Sequence, residues 1–176
     1  MVHKESSFAT MATYVTEYVD DYHRLGVERL SRDVNFAVLI VQGMTGTLRD
    51  KSKSGSTTVI TDLNDTLTIS KLVGRVFPLR KSDATPPGPV LIGRSAQSDV
   101  PIPDYSISNR HCFFVLGGRD VKIADSGSTN GTFVDGKQLP PRQLHSLVGG
   151  ETVVVGRFAF LFLMPAGFIE YLGRQK

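Results

Sequence analysis

The sequence predicts a mainly β fold, a sandwich preceded by a mixed, partly helical N-terminal extension. Three observations predict it. From about residue 70 onward, short apolar runs alternate with turn signals, the rhythm of an antiparallel all-β domain. Gly117-Gly118 and Asp135-Gly136 read as two-residue hairpin turns, where the backbone must turn in a way that favours glycine. Near the C-terminus, Phe158, Phe160 and Phe162 alternate with Ala159, Leu161 and Leu163, so both faces of that strand are expected to be buried.

The elements follow in order. Residues 7–30 place Phe8, Met11, Val15, Tyr18, Tyr22 and Leu25 at spacings of three and four, one apolar stripe along a helix. Ser6 or Ser7 can cap its first turn, and Gly26 loosens its last. The stripe keeps a heptad seam over fewer than three heptads, which leaves two alternatives: a helix packed on its own protein, or a homodimer through the N-terminal helix. The apolar run around 36–42 reads as a buried strand, and a polar, threonine-rich segment follows it. The expected organisation is an extension over 1–69, a sandwich over 70–165 and a tail over 166–176 that folds as a short helix. Within the sandwich, strands are expected at 72–79, 89–92, 100–102, 111–116, 121–124, 132–134, 152–155 and 158–164, with Pro86-Pro87-Gly88 as a hard break between the first two.

Composition sets outer bounds. Forty per cent apolar and 21% charged residues suit a globular core. The single cysteine, Cys112, rules out an internal disulfide and fits a reducing cytoplasm. The first residues lack the apolar segment of a secretory signal, and the apolar stretch 153–169 is too broken to span a bilayer, so no membrane association is expected. The formal charge of +3 is uneven. Residues 1–69 hold seven Lys/Arg against nine Asp/Glu, and residues 70–176 hold thirteen against eight. A basic C-terminal half suits an anionic partner. Its cations are scattered singly without the aromatic stripe that stacks on bases, which argues against nucleic acid.

Three loop signals beside strands carry the chemistry: Gly93-Arg94-Ser95, Ser108-Asn109-Arg110-His111, and Ser126-Gly127-Ser128-Thr129-Asn130-Gly131-Thr132. Strands and loops that alternate can gather their loops at one end of a sandwich. One guanidinium, several hydroxyls, two carboxamides and loop N–H groups would then face one spot. That inventory of donors suits a doubly charged oxyanion such as a phosphorylated side chain. Nothing in it makes an activated nucleophile. Gly131 to Gln138 nearly spells a phosphate-binding P-loop, but Gln138 lacks the required hydroxyl, and Pro140-Pro141 cannot open the helix that must follow. Ser108, His111 and Asp125 lack a nucleophile elbow. Without a His-Glu-x-x-His or paired-cysteine motif, neither a metal nor a cofactor is expected, and an enzyme is not.

Gly-Arg, Ser-x-x-His and Asn-Gly-Thr, in this order and spacing, resemble the forkhead-associated (FHA) domain over roughly residues 70–165. The resemblance implies an FHA-type β-sandwich that binds phosphothreonine peptides through loops at one edge. Arg94 would be the principal phosphate contact, Ser108 would donate its hydroxyl, and Asn109 would occupy a neighbouring ligand position. Thr129 would add a second phosphate contact, and Asn130 would clamp the peptide main chain. Gly93, His111 and Gly131 would brace the loops. The residues 103–107 and 126–128 would line the flanking pocket.

The implied function is an adaptor in Ser/Thr kinase signalling, whose partners are phosphothreonine-containing proteins, kinases or their substrates. The alternatives are a scaffold that leaves the pocket unused and, less favoured, a nucleic-acid binder. Thr57, Thr58 and Thr61, on the threonine-rich segment, are candidate self-ligands once phosphorylated, because some relatives bind their own N-terminal phosphothreonine.

Overall fold

The strand with two apolar faces organises the molecule. In the computed structural model, which describes residues 13–45, 48–49, 57–58, 71–118 and 120–175, Phe158–Leu163 runs through the middle of the fold. Phe158, Phe160 and Phe162 enter one core, while Leu163 and the partly buried Leu161 enter another.

The described residues begin with β1 (Thr13–Tyr14), α1 (Val15–Leu25), α2 (Val27–Asp33), β2 (Val38–Met44), β3 (Leu48–Arg49), β4 (Thr57–Thr58) and β5 (Arg75–Pro78). Next come β6 (Val90–Gly93), β7 (Val100–Pro101), β8 (Cys112–Gly117), β9 (Asp120–Asp125), β10 (Thr132–Val134) and β11 (Lys137–Gln138). It ends with β12 (His145–Leu147), β13 (Thr152–Val155), β14 (Phe158–Leu163) and α3 (Pro165–Gly173). Seven strands form one sheet in the order β1-β5-β2-β14-β13-β10-β11, and five form a second in the order β12-β9-β8-β6-β7. Among the described residues, the short β3 pairs only with β4.

The two large sheets close on the main core. Ile92, Phe114 and Ile123 come from one side, and Leu39, Val153, Phe160 and Phe162 from the other. Phe114 stacks on Phe162 across the gap, with ring centroids 6.3 Å apart. The seven-stranded sheet has a second apolar face, and the helices cover it. Val38, Ile40, Val76 and Leu163 meet Tyr18, Leu30, Val34, Phe168, Ile169 and Leu172 there. Tyr18 meets Phe168 edge-on at 5.1 Å, which ties α1 to α3. The molecule is therefore sheet on sheet with a helical layer outside.

Several expectations shift. The helix expected over 7–30 is two helices, because Gly26 takes φ 79° and ends α1 before α2 starts. Phe8, Met11 and the capping serines lie outside the described residues. In the described part of the stripe, Val15, Tyr18 and Tyr22 pack on the chain's own sheet and on α3, so the structure adopts the self-packed alternative. The strand expected near 36–42 sits inside the sandwich, hydrogen-bonded to β14 on one side and β5 on the other. A boundary at 69/70 therefore does not separate it from the sheet it completes. The physical reason is its unbroken apolar run: Leu39 and Val41 fill one core, Val38 and Ile40 the other. The hairpin assigned to Gly117-Gly118 slips by one, since Gly117 pairs with Asp120 and the loop begins at Gly118. Asp135-Gly136 forms the expected turn between Val134 and Lys137.

A chain shortened to begin at residue 70 loses β2, α1 and α2. Its β14 edge and the apolar face around Val76 and Leu163 would be bare, which favours aggregation. It is expected to show no cooperative thermal transition by circular dichroism, whereas a chain beginning at residue 13 keeps one. A sharp transition in the shorter chain would show that β2 is dispensable.

Candidate functional site

The three loop motifs meet at one end of the five-stranded sheet. The first leaves β6 at Gly93, the second leads into β8, and the third links β9 to β10. Backbone hydrogen bonds begin the assembly: Arg94 N donates to Ser108 O at 2.9 Å, and Ser126 N to His111 O at 2.9 Å.

Gly93 lets the first two loops touch. A Cβ at this position would lie 2.1 Å from the carbonyl oxygen of Asn109 and 2.9 Å from Ser98 Oγ, a contact no side chain can relieve. The exposed Arg94 then lies beside Asn109, with its Nε and Nη2 at 3.4 and 3.5 Å from Oδ1.

The second and third loops are joined through a hydroxyl and an imidazole. Thr129 N donates to Ser108 Oγ at 3.0 Å. A hydroxyl that accepts one bond still has its own proton to donate. His111 is fully buried and bridges both loops: Nδ1 accepts from Ser108 N at 3.1 Å, and Nε2 lies 3.0 Å from Gly131 O. These partners require the neutral tautomer with its proton on Nε2. Burial holds the His111 pKa below its ordinary value of 6.5, against the opposing pull of the Gly131 carbonyl and the Asp125 charge.

Asp125 shapes the third loop. Its Oδ1 accepts from Gly127 N at 2.7 Å and Ser128 N at 2.9 Å, and its Oδ2 from Ser128 Oγ at 2.6 Å and Thr132 Oγ1 at 2.7 Å. Burial would raise its pKa, but these four donors together hold it below the usual carboxylate value. Ser128 Oγ in turn accepts from Gly131 N at 3.0 Å, which closes the loop. Asn130 reaches the turn before Ser108, where its Nδ2 donates to Ser106 O at 2.7 Å.

That turn rests on a buried ion pair. Arg157, between β13 and β14, donates through Nε and Nη2 to Asp104 Oδ2 at 3.1 and 2.7 Å, and through Nη1 to Tyr105 Oη at 3.1 Å. Its guanidinium lies 4.6 Å from the centre of the Tyr105 ring. Ser106 Oγ donates to Asp104 Oδ1 at 2.6 Å and accepts from Arg157 N at 3.0 Å. Under the first loop, Asp99 plays a similar part, accepting from Ser82 N, Leu91 N and Lys81 Nζ at 2.9, 2.7 and 2.8 Å and also from Thr85 Oγ1.

The structure thus brings together Arg94, Ser108, Asn109, Thr129 and Asn130, with Gly93, His111 and Gly131 beneath them. The Ser108–His111–Asp125 set does not form a hydrolase relay, because Ser108 meets the imidazole through its backbone N–H and Asp125 is engaged within its own loop. Burial also pushes the Cys112 thiol well above its ordinary pKa, so it offers no thiolate. Thr57 and Thr58 are the paired residues of β4, and Thr61 lies outside the described residues.

Sequence reasoning missed Asp99 and Arg157 and assigned no bracing role to Asp125 or Asp104. An aspartate two and three residues before loop N–H groups is a local cue that identifies Asp125. Arg157 carries no such cue, since its partner Asp104 is 53 residues away.

Residues 90–156 match the family model of the FHA domain. The chain carries an FHA domain. Its curated relatives include the glycogen accumulation regulator GarA of Mycolicibacterium smegmatis, 37% identical over 71 residues, covering 40% of this chain and 43% of the relative. An oxoglutarate dehydrogenase inhibitor of Corynebacterium efficiens is 34% identical over 71 residues, covering 40% of this chain and 48% of the relative. An ABC transporter ATP-binding/permease protein of Mycobacterium tuberculosis is 35% identical over 85 residues, covering 48% of this chain and 10% of the relative. The chain spans less than half the length of each of these relatives. Among solved structures, the FHA domain of the CT664 protein from Chlamydia trachomatis superposes with a TM-score of 0.47 at 22% identity, covering 73% of this chain and 96% of that one. A chain solved in a study of phosphothreonine-dependent FHA domain interactions gives 0.46 at 24% identity, with the same coverage. FHA domains are binding modules, and among the described residues no helix is long and apolar enough to cross a membrane.

Two stability measurements follow from this geometry. Below about pH 6.5 an unfolded chain protonates its histidines, whereas folded His111 resists, so unfolding becomes easier as pH falls from about 7.5 to about 5.5. Asp99 and Asp125 titrate below this window, since their pKa values lie under 3.8. His111→Gln should lower stability and flatten this pH slope in urea titrations. An undiminished slope in the variant would place its origin elsewhere. Replacing Arg157 by Met strands Asp104 and should cost about 3 kcal/mol, with part recovered by adding Asp104→Asn. Equal stability of the single and double variants would show that the stranded carboxylate is not the source of the loss.

Proposed function

We propose that this FHA domain binds phosphothreonine peptides and serves as an adaptor in Ser/Thr kinase signalling. The observation that carries the reading is the joining of three loops into one donor surface, with Thr129 N on Ser108 Oγ and Arg94 beside Asn109. The Arg94 guanidinium supplies a permanent positive charge and a planar fork suited to two phosphate oxygens. Ser108 keeps a hydroxyl proton for a third, and Thr129 places a second hydroxyl at the same rim. Asn130, braced against Ser106, would clamp the peptide main chain. A binding role rather than an enzymatic one accords with the absence of a relay at Ser108. The regulatory names of two relatives fit the same picture. On this reading the protein works in the cytoplasm, where kinases and their substrates meet such modules.

Arg94→Ala should weaken binding of a phosphothreonine peptide by at least about thirtyfold, the loss expected for a charge-assisted pair. Ser108→Ala should cost about tenfold, and the unphosphorylated peptide should not bind measurably to the parent protein. Isothermal titration reads all three. Capture of a cellular partner that is unchanged by Arg94→Ala would favour the phosphate-independent scaffold instead.

A further inference from the structure

Three arginines cross the end of the five-stranded sheet at which the loops meet. Arg94 follows β6, Arg110 precedes β8 on the adjacent strand, and Arg142 lies beside the end of β9. The last placement is firm: Arg142 N donates to Asp125 O at 2.8 Å, and Pro141 bridges in parallel to Asp125. Arg142 also holds φ 63°, a left-handed conformation that is unfavourable for a side chain of its kind. All three are exposed, and among the described residues none of them has an ion pair.

Among the described residues, no acid at this end offsets them. Asp99 and Asp125 are buried under inward donors, and Asp104 is bound to Arg157. Exposed acids such as Asp120 and Asp135 sit at the opposite ends of their strands. The row from Arg94 to Arg142 spans three strand spacings, about 14 Å, which an extended peptide covers in about four residues.

We infer that the ligand of this site carries a second anionic element, acidic side chains or a further phosphate, about four residues from the anchored phosphothreonine. The inference rests on the phosphothreonine reading and deepens it. It assigns Arg110 and Arg142 a role in choosing among phosphothreonine peptides, while Arg94 holds the phosphate itself. The exposed pair acts through screened charge, so its contribution is modest and salt-sensitive.

The test compares three phosphothreonine peptides by fluorescence anisotropy at low and near-physiological salt. One has neutral flanks, one has glutamates three to five positions before the phosphothreonine, and one has them after it. The full-length protein should bind one of the acidic peptides about fivefold more tightly than the neutral one at low salt, and less so at higher salt. Arg110→Gln combined with Arg142→Asn, the latter chosen because asparagine tolerates positive φ, should abolish that gain while leaving the neutral peptide within about twofold. Equal binding of all three peptides by the parent protein, or a gain that survives in the double variant, overturns the inference and leaves the phosphothreonine reading intact. Failure of every phosphopeptide to bind overturns both. A mixed-sequence DNA duplex that binds more tightly than the acidic peptide, and is lost in the double variant, would reassign the row to nucleic acid.

Discussion

One buried imidazole sets the separation of two loops that have little apolar surface of their own. His111 takes an N–H from Ser108 on one side and gives its proton to the Gly131 carbonyl on the other. Loops of serine, asparagine and glycine cannot be fixed by burial, because they have almost nothing to bury. They must be fixed by directional bonds, and such bonds gain strength where water is excluded. The same solution recurs around the site. Asp125 gathers the third loop, Asp99 anchors the segment after Arg94, and Asp104 with Arg157 holds the turn that Asn130 touches. Each is a polar group placed beneath a loop, and each is satisfied by several partners, as a buried charge requires.

These bonds hold only because the sandwich presents strand ends at fixed spacing. That rigidity depends on residues far from the loops. Arg157 sits on the turn between β13 and β14, in the sheet opposite Asp104, so the pair fastens one sheet to the other beside the site. β14 in turn is held by β2 on one side and β13 on the other. The N-terminal segment thus contributes a strand to the framework on which the loops stand, and its helices keep the outer face of that sheet dry.

How much of this the sequence disclosed depends on whether the signal was local. Turn chemistry and alternation gave most strands from β5 onward to within a few residues, because each depends on its own neighbours, but not the short β11 and β12. The loop residues were legible as a set through the spacing of Gly93-Arg94, Ser108 to His111 and Asn130-Gly131. The partnership of β2 with β14 was not, since an apolar run announces burial but not beside what. The Gly26 break was half legible: the glycine was noted, but periodicity alone carried the helix across it. Arg157 was opaque for a similar reason. A lone arginine after a turn looks like a surface residue until the fold delivers an aspartate from 53 positions away.

The inward engagement of carboxylates has an electrostatic consequence at the surface. An aspartate held by backbone N–H groups and hydroxyls stays ionised, as the lowered values at Asp99 and Asp125 indicate once burial has been outweighed by their donors. Its charge lies below the rim, however, where local dipoles already answer it. The rim itself shows N–H groups, hydroxyls and guanidinium ions. A site assembled this way separates its signs by depth: anions beneath shape the loops, and cations and donors above face outward. That layering explains how loops rich in aspartate neighbours can still present a rim of donors and positive charge. It also explains why the bracing acids and the rim residues cannot exchange places, for an acid moved to the rim would cancel that charge and leave the loop beneath it without its partner.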